Sequence, residues 1–204
     1  MSIQYNETKK MFLLDTPNTS YRIGIFGSEK IIGHIYYGKR IHHDDIRYLA
    51  DINNLLDQQG EQIKFRDSFA FEYPTAGIGD YRQPCLKVKT VDGHHACNLS
   101  YMGYRIVKGK YALPGLPATF AEDESCDTLE IYAVDMVLGL DITLIYGVFQ
   151  KLDVITRSVR IQNHSSKKIY LTSVLSSCLD MENDEYEMLT LDGSWAKERM
   201  ITRR

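Results

Sequence analysis

The sequence of 204 residues lacks the short motifs that identify several large enzyme classes. It has no G-x-S-x-G, which excludes the nucleophile elbow of α/β-hydrolases, and no H-E-x-x-H, which excludes the zincin helix. It also has no Walker A motif and no G-x-G-x-x-G, so neither a phosphate-binding loop nor a dinucleotide-binding fold is indicated. We therefore expect a protein without a cofactor.

An excess of positive charge and a long apolar run are absent as well. The net charge is -3 and no basic block is present, which argues against nucleic acid and against an anionic membrane surface as partners. The first apolar run, from Met11 to Leu14, is too short for a signal peptide or a membrane span. We therefore expect a cytoplasmic protein whose thiols are reduced.

Patterns that bind metal are weak. The four cysteines contain no C-x-x-C pair, so no zinc knuckle or thioredoxin-like motif is present. Two stretches hold neighbouring potential ligands, HHDD at 42–45 and His94-His95 close to Cys97. Adjacent residues of an extended segment point apart, whereas a metal site needs convergent side chains. We interpret the first stretch as the start of a helix and the second as a turn exposed to water, and we expect no metal site.

Alternating apolar and polar residues fill the stretch from Thr128 to Asn163. Side chains of a strand alternate between two faces, so this pattern predicts sheet rather than helix. Gly139, Gly147 and the pair Leu152-Asp153 interrupt the pattern and suit hairpin connections. The stretch therefore predicts a three-stranded antiparallel meander at the centre of an all-β, antiparallel β-sandwich. No change of composition divides residues 1–204 into two domains.

Shorter elements are predicted around this meander. Apolar residues at helical spacing predict one short surface helix over 43–56. Leu86 to Lys108 is predicted to form a hairpin that turns at Asp92-Gly93. Residues 69–84, rich in glycine, proline and aromatic residues, are interpreted as an ordered loop that crosses the sandwich. Further strands are predicted over 4–6, 11–15, 21–26, 31–37, 169–180, 186–191 and 196–202.

The strongest candidate side chains lie in the loop 69–84. Residues two apart in an extended segment lie on the same side, so Asp80 and Arg82 are expected to pair and pin this loop. Glu72 of the FEYP stretch and Trp195, the only tryptophan, are assigned a similar structural role. The alternative is that these residues face a carbohydrate, on which the Trp195 ring would stack. We favour the structural role because most ion pairs that perturb titration are structural.

Six stretches give the chain a resemblance to a known family. In chain order they are IIGHIYYGKRI (31–41), FEYPTAGIGDYRQP (71–84), KGKYALPGLPATF (108–120), TLEIYAVDMVLGLDITLIYGVF (128–149), KLDVITRSVRIQN (151–163) and GSWAKER (193–199). Together they resemble the N-terminal β-sandwich domain of family 36 glycoside hydrolases, the bacterial α-galactosidases. The ordered set spans nearly the whole sequence and is more specific than any one of its members.

The resemblance implies both a fold and a division of labour. In this family a galactose mutarotase-like β-supersandwich precedes a (β/α)8 barrel. The barrel carries the two aspartates that hydrolyse terminal α-galactosides such as melibiose and raffinose. The sequence stops at Arg204, before any barrel, so by resemblance it carries no catalytic residue and is inactive alone. The implied role is a non-catalytic domain that supports assembly and the active-site rim. Its implied partners are the barrel, the α-galactoside and further copies in a homo-oligomer.

The resemblance also implies a contribution to the substrate pocket. In tetrameric members of the family, a loop after the YYGK-like strand supplies an Asp and an Arg toward the sugar in a neighbouring subunit. The corresponding segment here is Ile41 to Phe69, and its helical pattern departs from that of the family. Asp51 and Arg66 are the nearest candidates for the substrate-rim pair.

Two alternatives stay open beside this interpretation. The first is a stand-alone carbohydrate-binding or structural β-sandwich module of the same fold. The second is an enzyme of the mutarotase kind, which uses histidines as acid and base. We rank it last because no histidine has a carboxylate at an informative spacing; the six histidines are His34, His42, His43, His94, His95 and His164.

A sandwich cut short has a physical consequence of its own. It would leave a strand edge without a partner and apolar surface without a cover, and such edges recruit other chains. We therefore expect the isolated chain to self-associate.

Overall fold

The computed structural model describes residues 2–42, 46–52, 66, 68–115, 119, 121, 125–181 and 185–204, with residues 51 and 52 as backbone only. Antiparallel strands dominate this part of the chain. They are β1 (Ile3–Asn6), β2 (Met11–Asp15), β3 (Thr19–Phe26), β4 (Ile31–Lys39), β5 (Leu86–Thr90), β6 (Ser100–Lys108), β7 (Cys126–Asp135), β8 (Leu140–Phe149), β9 (Val154–Asn163), β10 (Ile169–Val174), β11 (Leu189–Ser194) and β12 (Lys197–Arg203). The helical elements among the described residues are α1 (Tyr48–Ile52) and a 3-10 turn (Gln150–Leu152).

The first four strands form one antiparallel sheet in the order β1-β2-β3-β4. The strands predicted over 4–6, 11–15, 21–26 and 31–37 are confirmed, and β1, β3 and β4 are slightly longer than predicted. Side chains of β2 alternate between its faces. Phe12 and Leu14 face the main core, whereas Met11 and Leu13 belong to a second apolar cluster. Because this sheet is covered on both faces, β2 is almost continuously apolar in sequence.

The second sheet contains the predicted meander, which is confirmed. Strands β7, β8 and β9 pair with their neighbours over ten residues each, and β6 adds at the free edge of β7. The predicted inner face of β8 is buried, with each side chain at most 3% exposed: Leu140, Ile142, Leu144 and Tyr146. The opposite face of β7 carries Glu130, which forms an ion pair of 2.9 Å with Arg105 of β6.

The two sheets pack face to face, so the predicted all-β sandwich is confirmed. Phe12 and Ile23 of the first sheet and Leu129 and Ile131 of the second belong to one buried cluster. Burial of such side chains removes apolar surface from water and is the main favourable contribution to folding.

A second apolar cluster lies on the outer face of the first sheet. Residues 69–71 and α1 cover this face, and the Phe69 ring meets Phe26 and Phe71 edge-on at centroid distances of 5.4 and 5.1 Å. Gly33 of β4 makes this close approach possible, since a side-chain carbon there would lie 2.6 Å from the Phe69 ring. The predicted crossing loop thus begins as a cover for the first sheet.

The predicted hairpin over Leu86 to Lys108 is wrong. A turn does follow β5, but β5 pairs antiparallel with β10, and β6 pairs with β7. The segment between β5 and β6 crosses from one sheet to the other. It contains the buried Cys97, whose amide donates to the Ala76 carbonyl at 3.1 Å. Local turn chemistry was correct, whereas the partner of β5 is set by packing at long range.

The predicted helix over 43–56 is seen only as α1, from Tyr48 to Ile52; residues 43–45 and 53–56 lie outside the described part. The strand predicted over 169–180 ends at Val174. The last two predicted strands are present as β11 and β12, which form a separate ribbon. None of the helices in the described ranges has the length and apolar composition needed to cross a membrane.

Candidate functional site

A buried carboxylate, Glu72, lies between the two sheets. Its backbone runs beside β4: the Glu72 amide donates to the Ile32 carbonyl at 3.1 Å, and the His34 amide donates to the Ala70 carbonyl at 2.8 Å. Glu72 is 0% exposed. A charge in such a place must be paired and hydrogen-bonded, because its desolvation is otherwise too costly.

Four side chains satisfy Glu72. Its carboxylate accepts hydrogen bonds from the Tyr146 hydroxyl at 2.7 Å and the Tyr21 hydroxyl at 2.8 Å, and His34 Nδ1 lies at 3.3 Å. Arg157 Nη2 completes the set with an ion pair of 2.7 Å. Strands β3, β4, β8 and β9 therefore each contribute one partner.

Arg157 connects this cluster to the chain beyond β10. Its Nη1 donates to the Tyr21 hydroxyl at 2.9 Å and to the Cys178 carbonyl at 2.8 Å, and its Nη2 also donates to the Glu72 carbonyl at 3.1 Å. The guanidinium carbon lies 5.4 Å from the centre of the Tyr146 ring and 5.7 Å from that of Tyr21. One side chain thus fixes two rings, one carboxylate and two backbone carbonyls.

The electrostatics of the cluster keep Glu72 ionised. Burial by itself raises the pKa of Glu72, but Arg157 and then His34 and Tyr146 outweigh it, so the pKa falls below its ordinary value of 4.5. Burial, and next the Glu72 charge, raise the pKa of Tyr21 and of Tyr146 well above 10. A carboxylate in this state is a poor general acid, and the arrangement is suited to joining elements.

A surface cleft of about 580 Å³ lies beside the cluster, and His34 belongs to both. Strand β4 supplies one wall through residues 34–39, and α1 supplies Leu49 and Ala50. The rest of the described lining consists of Phe69, Ala70, Asp180, Met181 and Tyr186. Among the described lining residues, Asp180 is the single carboxylate.

The Asp80 and Arg82 side chains meet beside this cleft. Arg82 Nε donates to Asp80 Oδ1 at 2.9 Å and its Nη2 to Asp80 Oδ2 at 3.0 Å, in the two-pronged geometry that suits a carboxylate. Arg82 also contacts the Phe69 carbonyl and lies 3.3 Å from Asp180. Arg82, itself a residue of the loop 69–84, therefore connects this loop to Asp180, which lines the cleft.

The other predicted site residues are scattered. Asp51 lies in α1, but its side chain is outside the described part. Arg66 pairs with Glu29 and donates to Asn98 Oδ1 at 3.0 Å, and it does not line the cleft. Trp195, expected to help pin a loop, instead projects from the turn between β11 and β12 with 96% of its surface exposed.

Two members of the buried cluster could not be assigned from sequence spacing. His34 does have a carboxylate partner, Glu72, although no sequence spacing suggested it. The role of Arg157 in this cluster was not predicted either. It occupies the row of β9 that otherwise holds Ile155, Val159 and Ile161, and a cation in an apolar row is the signal of a buried anion.

The described residues contain no group of three or more histidine, cysteine, aspartate or glutamate side chains that could hold a metal ion. Three residues of the stretch HHDD lie outside the described part: His43, Asp44 and Asp45. The two-histidine turn at 94–95 is exposed, and His95 Nδ1 lies 3.1 Å from the Val88 carbonyl.

Comparison of the sequence with known proteins finds matches to one family. Residues 30–204 match the family model described as the glycosyl hydrolase family 36 N-terminal domain. The chain is 35% identical over 211 residues to alpha-galactosidase AgaA from Geobacillus stearothermophilus, covering 100% of this chain and 28% of that protein. It is also 35% identical over 208 residues to the bifunctional alpha-galactosidase/sucrose kinase AgaSK of Mediterraneibacter gnavus, covering 100% of this chain and 22% of that protein.

Solved structures agree with the sequence matches. The crystal structure of the GH36 alpha-galactosidase AgaB from Geobacillus stearothermophilus superimposes with a TM-score of 0.88 at 33% identity, covering 100% of this chain and 28% of that one. The chain thus spans between about a fifth and three tenths of the length of these relatives.

The first prediction concerns the buried pair. Glu72→Gln should lower the free energy of unfolding by about 3–5 kcal/mol, because it leaves the Arg157 charge buried without its partner. The matched control is Glu187→Gln, which breaks an exposed pair with Arg203 and should cost less than about 1 kcal/mol. Urea denaturation followed by circular dichroism measures both. Equal losses in the two variants would contradict the central role of Glu72.

The second prediction concerns pH. Since the folded-state pKa of Glu72 is lowered, its contribution is complete above the unfolded value, near 4.5, and is lost as pH falls through the folded value. The difference in unfolding free energy between the parent chain and Glu72→Gln should therefore shrink as pH falls below about 4.5. Denaturation curves at a series of acidic pH values test this. A difference that grows in acid would show that the sign is wrong.

Proposed function

The chain belongs to the glycosyl hydrolase family 36 N-terminal domain family, and from this membership we propose that it is the non-catalytic N-terminal β-sandwich domain of an α-galactosidase. The observation that carries the proposal is coverage. Relatives named as α-galactosidases match the whole of this chain with only 22–28% of their own length.

The chemistry of the cleft supports a non-catalytic role. Hydrolysis of a glycosidic bond with retention needs two carboxyl groups about 5 Å apart, one as nucleophile and one as acid. Among the described cleft residues only Asp180 offers a carboxylate, and Arg82 pairs with it. Glu72 lies behind His34 and is fully enclosed.

The apolar surface supports a partner in the same enzyme. Several large apolar side chains of the C-terminal strands are exposed by 56% or more: Met188, Leu189, Leu191, Met200, Ile201 and Trp195. Exposed apolar patches of this kind mark interaction surfaces. We propose that this ribbon packs against the remainder of the α-galactosidase, with the catalytic barrel and further copies of the enzyme as partners.

The proposed contribution to substrate binding rests on Asp51 and Arg66, the candidate rim residues. Arg66 is held in place by Glu29 and Asn98, so it is presented from a supported position near the turn between β3 and β4. Terminal α-galactosides of the melibiose and raffinose type are the proposed substrates of the complete enzyme.

A stand-alone carbohydrate-binding module is the second candidate. The cleft favours it, because its lining combines the exposed aromatic side chains of Tyr37 and Tyr186 with the polar side chains of Lys39 and Asp180. Calorimetric titration with galactose and raffinose separates the two. Saturable heat from this chain alone would favour the module, whereas its absence agrees with a domain that contacts sugar only within the whole enzyme.

The third prediction tests the proposed function with a chimera. This chain replaces the segment of AgaA that it matches, and raffinose hydrolysis is compared with parent AgaA, AgaA lacking that segment, and this chain alone. We expect activity in the chimera and none in either the deleted enzyme or the isolated chain. Hydrolysis by the isolated chain would overturn the non-catalytic role. Full activity in the deleted enzyme would overturn the supporting role.

The fourth prediction concerns the exposed ribbon. The isolated chain should associate with itself as concentration rises, and Leu191→Lys, whose paired neighbour is Ile201, should shift it toward monomer. The control Val137→Lys changes a side chain that is 95% exposed in the turn between β7 and β8 and should have no effect. Sedimentation velocity measures the distribution. A monomer at every concentration would contradict the proposed interaction surface.

A further inference from the structure

The sequence contains two Asp-Gly pairs, Asp92-Gly93 and Asp192-Gly193. In such a pair the glycine nitrogen can attack the side-chain carboxyl group of the aspartate, because glycine has no Cβ to hinder the approach and its backbone adopts many conformations. Both pairs are exposed in the structure. They are equivalent by sequence, so a difference in their reactivity has to come from their surroundings.

The first pair is held in an unreactive arrangement. Asp92-Gly93 belongs to the turn that follows β5, and the Gly93 amide donates to the Thr90 carbonyl at 3.1 Å. Lys167 Nζ lies 2.9 Å from Asp92 Oδ2. This hydrogen bond, and next the charge of Lys167, lower the pKa of Asp92. The attacking nitrogen is thus engaged in a hydrogen bond, and the carboxyl group is kept ionised, in which form it is a poor electrophile.

The second pair lies in an irregular part of the exposed ribbon formed by β11 and β12. Asp192 pairs with Met200 across the ribbon. The next pair joins Ser194 to Lys197, and the register shifts between the two pairs, so Gly193 has no partner residue in the ladder. This is the arrangement of a β-bulge, which leaves the extra residue unpaired. Apart from its chain neighbours, nothing lies within 3.8 Å of a side-chain carbon added at Gly193.

The Asp192 carboxyl group has a neutral partner. Thr202 Oγ1 donates to Asp192 Oδ2 at 2.6 Å. A hydroxyl group carries no charge, so it lacks the preference of an ammonium ion for the ionised carboxylate. Asp192 therefore combines a neutral partner with a glycine outside the ladder, whereas Asp92 has a charged partner and a glycine whose amide is hydrogen-bonded.

We propose that Asp192-Gly193 is a modification site at which the folded chain forms isoaspartate spontaneously, whereas the fold protects Asp92-Gly93. The Gly193 nitrogen bonds to Cγ of the protonated Asp192 side chain, and the amide hydrogen leaves with the carboxyl hydroxyl as water. The product is a cyclic succinimide. No oxidant, reductant or cofactor takes part.

Hydrolysis of the succinimide decides the product. Water attacks one of its two carbonyl carbons and breaks the bond between that carbon and the Gly193 nitrogen. Attack at the backbone carbonyl gives isoaspartate, whose main chain runs through Cβ and Cγ, and attack at Cγ restores aspartate. One water molecule leaves and one enters, so the mass of the chain is unchanged.

The modification changes the ribbon that carries the proposed interaction surface. Isoaspartate lengthens the main chain of β11 by one carbon atom and places a free carboxylate on the backbone next to the exposed Leu191. A longer main chain disturbs the alternation of side chains between the two faces of the strand. A carboxylate that becomes buried without a partner also disfavours apolar packing. The modification site rests on the two Asp-Gly pairs alone, and only this consequence rests on the proposed function.

The fifth prediction concerns uptake of oxygen from water. The folded chain is incubated in neutral buffer made with water enriched in oxygen-18, then digested in ordinary water and analysed by liquid chromatography and mass spectrometry. Each succinimide that opens takes up one oxygen-18 atom. The Asp192 peptide should therefore become heavier and separate into aspartate and isoaspartate forms, whereas the Asp92 peptide should change much more slowly.

The unfolded chain supplies the reference for this comparison. In urea the two peptides should take up oxygen-18 at similar rates, because only the fold distinguishes them. Equal uptake in the folded chain, faster uptake at Asp92, or a preference for Asp192 that persists in urea would overturn the proposal.

Two variants identify the attacking atom. Gly193→Ala adds a side-chain carbon for which the fold has room, and this carbon hinders the attack, so the Asp192 peptide should lose its label. Ser194→Ala is the matched control, since it changes an exposed neighbour outside the reacting pair and should label as the parent chain does. An undiminished label in Gly193→Ala would refute the Gly193 nitrogen as the nucleophile.

The AgaA chimera separates this site from the proposed docking. If the ribbon packs against the rest of the enzyme, oxygen-18 uptake at Asp192 should be slower in the chimera than in the isolated chain, because the packed ribbon is less open to water. Equal uptake in both would contradict the docking of the ribbon and would still support the modification site.

Discussion

The ion pair between Glu72 and Arg157 is the contact on which the rest of the arrangement depends. Glu72 comes from a segment that runs along the first sheet, and Arg157 comes from the last strand of the second. Each charge is acceptable in the interior only because the other is present, and Tyr21 and Tyr146 complete the hydrogen bonding. The pair therefore joins the two sheets at one point within a core that is otherwise mostly apolar.

The same pair organises what lies at the surface. Arg157 reaches the Cys178 carbonyl, so the segment after β10 is positioned by a residue of the core. That segment continues to Asp180, which lines the cleft and pairs with Arg82 of the loop 69–84. His34 contacts Glu72 and also lines the cleft. The buried cluster therefore adjoins the cleft directly at His34, and it adjoins Asp180 through the segment that Arg157 holds at Cys178.

Sequence patterns predicted local features well and long-range ones poorly. Period two in β7, β8 and β9 was reliable because neighbouring strands joined by short turns need no distant information. The hairpin from Leu86 failed because β5 has its partner 79 residues beyond Thr90, at Ile169. The pairing of Glu72 with Arg157 could not be predicted from the sequence either. Arg157 in an otherwise apolar row indicated only that a buried anion existed. Asp80 and Arg82 are two residues apart, so their contact required only local geometry.

The pairing of β5 with β10 also affects how the chain is made. Strands β1 to β4 can pair with one another as soon as each emerges from the ribosome, since every partner is the next strand. Strand β5 has to wait for roughly 80 further residues, which at bacterial and eukaryotic elongation rates is about 4–16 s. During that interval the buried, apolar Val88 has no ladder partner, whereas Leu86 can already bridge to Thr75, so the outer part of β5 is open to misassembly until β10 is made.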